Sequence, residues 1–376
     1  MADSPFLIVG GGIAGLAAGL GLARIGKPSH ILEKAPHFEE VGAGLQLGPH
    51  AVRALRYLGA WDVMAPHCVS PAEIHVRDGI SGNVLQRIPL GANFEKQFGA
   101  PYRVAHRADL QRGLLESVRS KTNIELQIRA EVVKISIAET ALTLKSGINL
   151  VGEAIIAADG VHSLVRNLVT EQPGKNAVGH MLHRGLTPIA LVPASVNIDV
   201  VTLWLYPGGH IVHYAVSNWQ KFNIVAAVEN AEASLASIFQ HACQPFADIL
   251  DLKIKWTKWP ALAFDPVRNW NRNRTLLIGD AAHASLPYLA QGAAMALEDA
   301  CVLSSKLQSA GDIPPAFLDF SELRFTRTSA IQKKSRQLGK IYHARGVLRQ
   351  ARNAALKALP PTSFAGRLSW IYEWKP

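Results

Sequence analysis

Over the first 160 residues the apolar positions switch between two rhythms. A short unbroken run, Phe6–Val9, reads as a buried strand. Ile13–Ile25, rich in Ala and Leu, reads as a helix, and His30–Glu33 as a second strand. Strand, helix and strand in that order make a βαβ unit, whose two strands must lie parallel. A glycine-rich stretch, Val41–His50, leads into a helix over about Ala51–Leu58. Pro101–Ala130 contains an amphipathic helix, Ala108–Ser117, and a strand. Two-residue alternation in Glu131–Asn149 predicts a hairpin, and Ala154–Asp159 is a further apolar strand ending in Asp-Gly.

Between Val200 and Val228 the pattern changes. Three aromatic and β-branched runs (VVTLWLYP, HIVHYAV, FNIVAAV), separated by the turn signals PGG and SNWQK, predict an antiparallel sheet. Thr275–Gly279 returns to a buried strand, a long helix starts near Gly292, and the remainder is helical. Buried parallel-type strands therefore occur at the start, near residue 155 and near residue 277, with a β-rich insert between the last two. The expected division is one discontinuous domain over 1–75, 101–180 and 271–320, a β-rich substrate lobe over 76–100 and 181–270, and a helical C-terminal region over 321–376. There is no internal repeat and no low-complexity linker.

A length of 376 residues suits about two domains. Hydrophobic residues make up 48% and charged ones 18%, against roughly 25% in an average soluble chain, which points to a large interior or a buried ligand. The net charge of +10 is concentrated: Ser321–Lys357 holds ten Lys or Arg and one acid, Glu322, so the rest is nearly neutral. The plain reading of that stretch is a solvated helical face; attraction of anionic substrates comes next, and nucleic acid is not an expected partner. Cys68, Cys243 and Cys301 form no CxxC, so neither a disulfide framework nor a metal site is expected, and a reducing, cytoplasmic setting fits. Phe6–Ala23 lacks any charge, but six glycines interrupt it, so it reads as strand, turn and helix and not as a membrane span.

Gly10-Gly11-Gly12-Ile13-Ala14-Gly15 is a GxGxxG between strand and helix. Gly10 permits the tight turn, Gly12 lets backbone approach a pyrophosphate, and Gly15 lets the helix pack close to the strand. The helix N-terminus then offers free N–H groups to phosphate. Glu33, 18 residues after Gly15 at the end of the second strand, is placed for ribose hydroxyls. The motif calls for a dinucleotide and does not by itself separate NAD from FAD.

Two further segments separate them. Ala157-Ala158-Asp159-Gly160-Val161-His162-Ser163, with Arg166, and Leu277-Ile278-Gly279-Asp280-Ala281-Ala282-His283 resemble the Asp-Gly and Gly-Asp fingerprints of the class A flavin monooxygenases. The likeness runs through about residue 325, and salicylate, 3-hydroxybenzoate and 6-hydroxynicotinate hydroxylases are the most similar members. It implies an α/β fold: a Rossmann-like, glutathione-reductase-like FAD-binding domain with an inserted antiparallel-sheet substrate domain. It implies FAD as cofactor and NADH or NADPH as co-substrate, with dioxygen adding to the flavin as a hydroperoxide that attacks a small aromatic ring. Asp159 and Asp280 are then FAD contacts, the latter on the ribityl chain. Arg107, in His106-Arg107-Ala108-Asp109-Leu110, resembles the family's FAD-contacting Arg. Gly292-Ala293-Ala294 begins a helix whose N–H groups would face the flavin N1–C2=O edge, where the reduced ring carries negative charge. His283 reads as structural.

On a strand, His210, Val212 and Tyr214 share one face and His213 takes the other. The segment resembles that of 3-hydroxybenzoate hydroxylases, which implies His210 as acceptor of the phenol proton and Tyr214 as its hydrogen-bond partner. The plain alternative is a pair of satisfied sheet residues. Gln46 falls in a loop resembling the one that lines the flavin, where hydroxynicotinate enzymes carry a His, and Pro287 stands where hydroxybenzoate enzymes carry a substrate-contacting Gln; both are departures within the expected pocket. A second GxGxxG and a redox-active Cys pair are absent, which disfavours a disulfide reductase. A dehydrogenase or oxidase without oxygen insertion, and a non-catalytic flavoprotein, are the competing readings. Oligomeric state stays open, with a homodimer among the choices.

Overall fold

The computed structural model describes residues 4–38, 42–170, 176–230, 232–360 and 366–376. Its first sheet has six strands in the order Asn271–Arg272, Thr275–Leu277, Ala154–Ala157, Phe6–Val9, Ser29–Leu32 and Ile124–Gln127. Every pair is parallel except the edge pair Asn271–Arg272 with Thr275–Leu277. The central strand is apolar on both faces because both are covered. Phe6 and Ile8 pack with Leu16, Leu20 and Leu297 on the helical side, and Leu7 and Val9 pack with Val132, Leu142 and Leu144 on the other. Helices Ile13–Arg24 and Gly292–Ser309 lie so close that a Cβ on Gly21 would sit 2.7 Å from the Ala300 carbonyl oxygen.

The second sheet has seven strands: Thr257–Ala263, Asn176–Pro188, Lys221–Val228, Gly209–Val216, Val201–Tyr206, Glu73–Asp78 and Val84–Pro89. Neighbours are antiparallel except Val201–Tyr206 beside Glu73–Asp78. One face buries Trp204, Tyr206, Ile211, Phe222 and Ile224 under Phe239, Phe246 and Ile249. His213 joins that face, where its Nε2 accepts from Trp204 Nε1 at 3.0 Å.

Several expected elements shift. The hairpin over Glu131–Asn149 is a three-stranded meander, Val132–Ser136, Ala141–Leu144 and Asn149–Val151. The helix expected from Ala51 starts at Pro49, since proline suits the first turn of a helix. Gly44–Leu47, within the glycine-rich stretch, is a strand paired with Arg103–His106; Val41 lies outside the described residues. The strand expected through Gly279 stops at Leu277, because Gly279 takes φ +58° and turns the chain out. Asp280 is therefore exposed and opens a short helix instead of ending a buried strand. Among the described residues no helix is long and apolar enough to cross a membrane, and Phe6–Ala23 is strand, turn and helix.

The basic stretch is the largest departure. It occupies helices Ile313–Tyr342 and Gly346–Ala358, and only part of it is a solvated face. Lys333, Lys334 and Lys340 are exposed as expected. Arg324 is fully buried, with Nη1 2.6 Å from Glu298 and Nε 2.7 Å from Asp299, and Arg327 holds Glu298 at 2.7 Å. Arg349 reaches the buried Asp78 at 2.6 Å. These cations answer acids that would otherwise be stranded in the core.

Candidate active site

The three fingerprints meet because their strands are neighbours. Phe6–Val9 lies beside Ala154–Ala157, which lies beside Thr275–Leu277, and all three release their chains at the same edge. In open parallel sheets that carboxyl edge is where ligands bind. Gly10 has φ +103°, and a Cβ there would lie 2.5 Å from the Ala158 carbonyl oxygen. On Gly15 it would lie 1.9 Å from the Gly10 oxygen, whereas on Gly12 it would meet nothing within 4 Å. Two glycines thus close the turn and the third leaves open space where phosphate would sit.

That space belongs to one cavity of about 650 Å³. Gly10, Gly12, Glu33, Gln46, Arg107, Asp159, Asp280, Pro287, Gly292 and Ala293 all line it, and so do His210 and Tyr214. Ala294 is fully buried behind them, so its methyl takes no part; only its amide, one of the first-turn N–H groups, remains for a ligand. Glu33 does more than line the wall. Its two carboxylate oxygens accept from the Gly11 and Ala35 amides, each at 2.8 Å, and so brace the glycine turn. Asp159 Oδ2 accepts from the Leu164 amide at 2.8 Å, while its buried Oδ1 has no protein partner. Burial pushes that carboxyl above its ordinary range, against the hydrogen bonds from Ser163 and Leu164.

Behind the Gly-Asp turn stands a polar framework that the sequence reading passed over. Asp299 Oδ2 accepts from the Gly279 amide at 2.8 Å and meets His283 Nε2 at 2.6 Å, while Arg324 takes its other oxygen. Burial opposes ionisation of Asp299, but His283 and Arg324 hold it below the usual carboxylate range. Arg166 donates to the carbonyls of Ala281 and Ala282 at 2.8 Å, joining the Asp-Gly segment to the Gly-Asp segment. The signal was present in Met295–Leu303, where two adjacent acids interrupt an apolar helical run and require buried cations.

The other wall belongs to the second sheet. His210 and Tyr214 project into the cavity with Val212, and Arg184 and Val225 join them from neighbouring strands. Burial, with His343 and His180 nearby, lowers the His210 pKa well below its ordinary value, so the ring is neutral. Its Nδ1 lies 2.9 Å from His343 Nε2, and Tyr288 and Tyr342 pack edge-on to it at centroid distances of 5.3 Å. Burial raises the Tyr214 phenol, against a hydrogen bond with Gln46. Gln46 Oε1 also accepts from Tyr102 at 2.6 Å. Arg184, His343, Tyr288 and Tyr102 went unremarked in the sequence because each stands alone there, in segments far apart.

Comparison with known proteins names the chemistry. The sequence profile of the family described as FAD binding domain matches residues 3–319. The 3-hydroxybenzoate 6-hydroxylase of Polaromonas naphthalenivorans (strain CJ2) is 35% identical over 99% of this chain and 96% of its own length. The chain belongs to the class A FAD-dependent aromatic monooxygenases. The 3-amino-4-hydroxybenzoate 2-monooxygenase of Streptomyces cremeus is 34% identical to this monooxygenase over 91% of the chain and 88% of its own length. Its fold matches that of a salicylate hydroxylase substrate complex, with a TM-score of 0.83 at 24% identity, covering 100% of this chain and 96% of that one. Residues of the cavity fit FAD: an open glycine turn at a helix N-terminus, an orphaned buried oxygen on Asp159, and an exposed acid at Asp280.

Proposed function

We propose that this monooxygenase uses NADH or NADPH and dioxygen to hydroxylate a small ring carrying both a phenolic hydroxyl and a carboxylate, a hydroxybenzoate or hydroxypyridine carboxylate. The observation that carries this reading is His210: a neutral imidazole, anchored through Nδ1, in the same cavity as the FAD cradle. Bound FAD supplies hydride acceptance and oxygen activation. The protein must then seat the ring, exclude water and take the phenol proton as charge develops. His210 Nε2 is the proton acceptor. Tyr214, buried and neutral, donates to the phenol oxygen while Gln46 orients it. Arg184 adds the positive charge that a carboxylate requires, and Pro287 shapes the rim where hydroxybenzoate relatives are expected to use a Gln. The amides of Gly292, Ala293 and Ala294, in the first turn of their helix, would stabilise the negative charge that the flavin gains on reduction. Glu33, Arg107, Asp159 and Asp280 would hold the nucleotide, in a Rossmann-like domain of the glutathione reductase type assembled from 1–75, 101–180 and 271–320. The substrate lobe comprises 76–100 and 181–270. Nicotinamide docks transiently from solvent, in the cytoplasm.

The test is anaerobic reduction of the holoenzyme by NADH, followed by flavin bleaching, with and without 3-hydroxybenzoate, salicylate or 6-hydroxynicotinate. Strong acceleration by one of them, and label from dioxygen in its product, establishes the reading. Equal bleaching with every compound and with none, and no labelled product, would make the protein a dehydrogenase.

A further inference from the structure

Behind His210, three residues from separate elements turn toward one point. His180 sits on the strand Asn176–Pro188, Glu229 just past Lys221–Val228, and His343 at the end of Ile313–Tyr342. Each presents a ligand atom within 4.8 Å of the other two. His343 is buried, and its Nδ1 has no hydrogen-bond partner although it lies 3.3 Å from Glu229 Oε1. A buried imidazole nitrogen without a partner, aimed at a carboxylate, is an arrangement that a cation would complete.

We propose that His180, Glu229 and His343 form a site for a divalent transition metal, zinc by preference, that controls His210. Two histidines and one glutamate are a common zinc donor set, closed by a water as fourth ligand. Bonds of about 2.0–2.1 Å require ligand atoms roughly 3.4 Å apart, so the Glu229–His343 pair is already spaced for it and His180 must draw in slightly. The groups behind the ligands suit the role. Tyr288 hydrogen-bonds His180 Nδ1, Arg345 holds Glu229 Oε2 at 2.9 Å, and His343 Nε2 faces His210 Nδ1 at 2.9 Å. Metal-binding histidines characteristically give their second nitrogen to such a partner, which fixes the tautomer. The Glu229 side chain, about one-third exposed, provides the entry route.

The consequence for catalysis rests on the reading of His210 given above. A metal on His343 Nδ1 leaves the proton on Nε2, which donates to His210 Nδ1. The neutral His210 then carries its proton on Nε2, facing the cavity, and cannot accept one from a phenol. Without metal, His343 accepts and His210 Nε2 is free. The metal is thus an inhibitor that acts without touching substrate.

Cobalt(II), whose visible absorption reports coordination, and zinc are titrated into the FAD holoenzyme treated beforehand with chelator. One equivalent should bind, with affinity reduced about 10–100-fold or more in Glu229→Gln and His180→Ala. Zinc should suppress substrate-stimulated NADH oxidation about tenfold or more, reversibly with EDTA, and should not do so in either variant. Unstimulated NADH oxidation should be unaffected. Absence of saturable binding, or binding unchanged in both variants, overturns the site. Binding without inhibition overturns the coupling through His210. If no aromatic ligand stimulates NADH oxidation, the hydroxylase reading fails, while the cobalt spectrum still decides the site.

Discussion

The proposed cofactor cradle and the proposed substrate wall face each other across one cavity, yet they are built on different principles. The cradle is made largely of backbone. Gly10, Gly12 and Gly15 work by what they lack, and the constraint they answer lies within six consecutive residues. The wall is made of side chains delivered from several strands, Arg184, His210, Tyr214 and Val225 among them, with Tyr288 and His343 packed behind His210 from far along the chain. A backbone site is broken by a single methyl where the chain turns on itself, as at Gly10 and Gly15. A side-chain site depends on neighbours that hold each group in one rotamer and one tautomer. On the proposed reading, the same fold would keep its cofactor by a short local rule and choose its substrate by long-range packing.

The largest effect should come from breaking the cradle with one methyl. Gly15→Ala puts a Cβ against the Gly10 carbonyl and should yield protein without flavin, read from the ratio of flavin to protein absorbance. Gly12→Ala sharpens the contrast: its Cβ has room, so thermal stability should stay near wild type while FAD affinity falls. On the wall, His210→Asn should retain flavin and lower the substrate-stimulated rate about 10²–10⁴-fold, measured by single-turnover product formation. A wild-type rate in that variant would remove His210 from the chemistry.

Between the two regions stands the Asp299 framework. Asp299→Asn leaves Arg324 buried with half its charge partner and loosens the Gly279 turn. Loss of roughly 3–5 kcal/mol is expected from urea unfolding, with weakened FAD binding. The smallest effect is graded with pH. Burial pushes His50 down to about 4, against the pull of Glu298, and burial with Arg77 pushes His213 to about 3. Both stay neutral in the fold below pH 6.5 while the unfolded chain takes up protons. Stability should therefore be full above about pH 6.5 and fall toward pH 4, by up to roughly 3 kcal/mol from His50 alone, where His50 itself begins to charge. A flat urea midpoint over that range would show that these rings are not held neutral.

The same contrast explains what could be read in advance. The parallel sheet was legible because Phe6–Val9, Ala154–Ala157 and Thr275–Leu277 are unbroken apolar runs ending in glycine or Asp-Gly, a local signature of strands covered on both faces. The shared face of His210 and Tyr214 followed from the two-residue period of a strand. The strand before Asp280 was drawn two residues too long, because its length depends on where Gly279 bends and not on where hydrophobicity stops. Arg324 and Arg349 looked like solvent charges because their acids, Asp299 and Asp78, are recognisable as buried only once helices and sheet are packed. Arg184 carried no local mark at all: its place in the cavity comes from its register against Val225.

The order of strands in the first sheet also sets a timetable. Phe6–Val9 leaves the ribosome early, but its neighbour on one side begins at Ala154, and that strand waits in turn for Thr275–Leu277. Pairings so distant in sequence close slowly and late. During synthesis the glycine turn is thus a half-built nest for most of the time the chain is being made, and flavin can be captured only after about three-quarters of the polypeptide exists. Chains stalled on the ribosome before residue 280 should acquire no FAD, and those stalled well beyond it should.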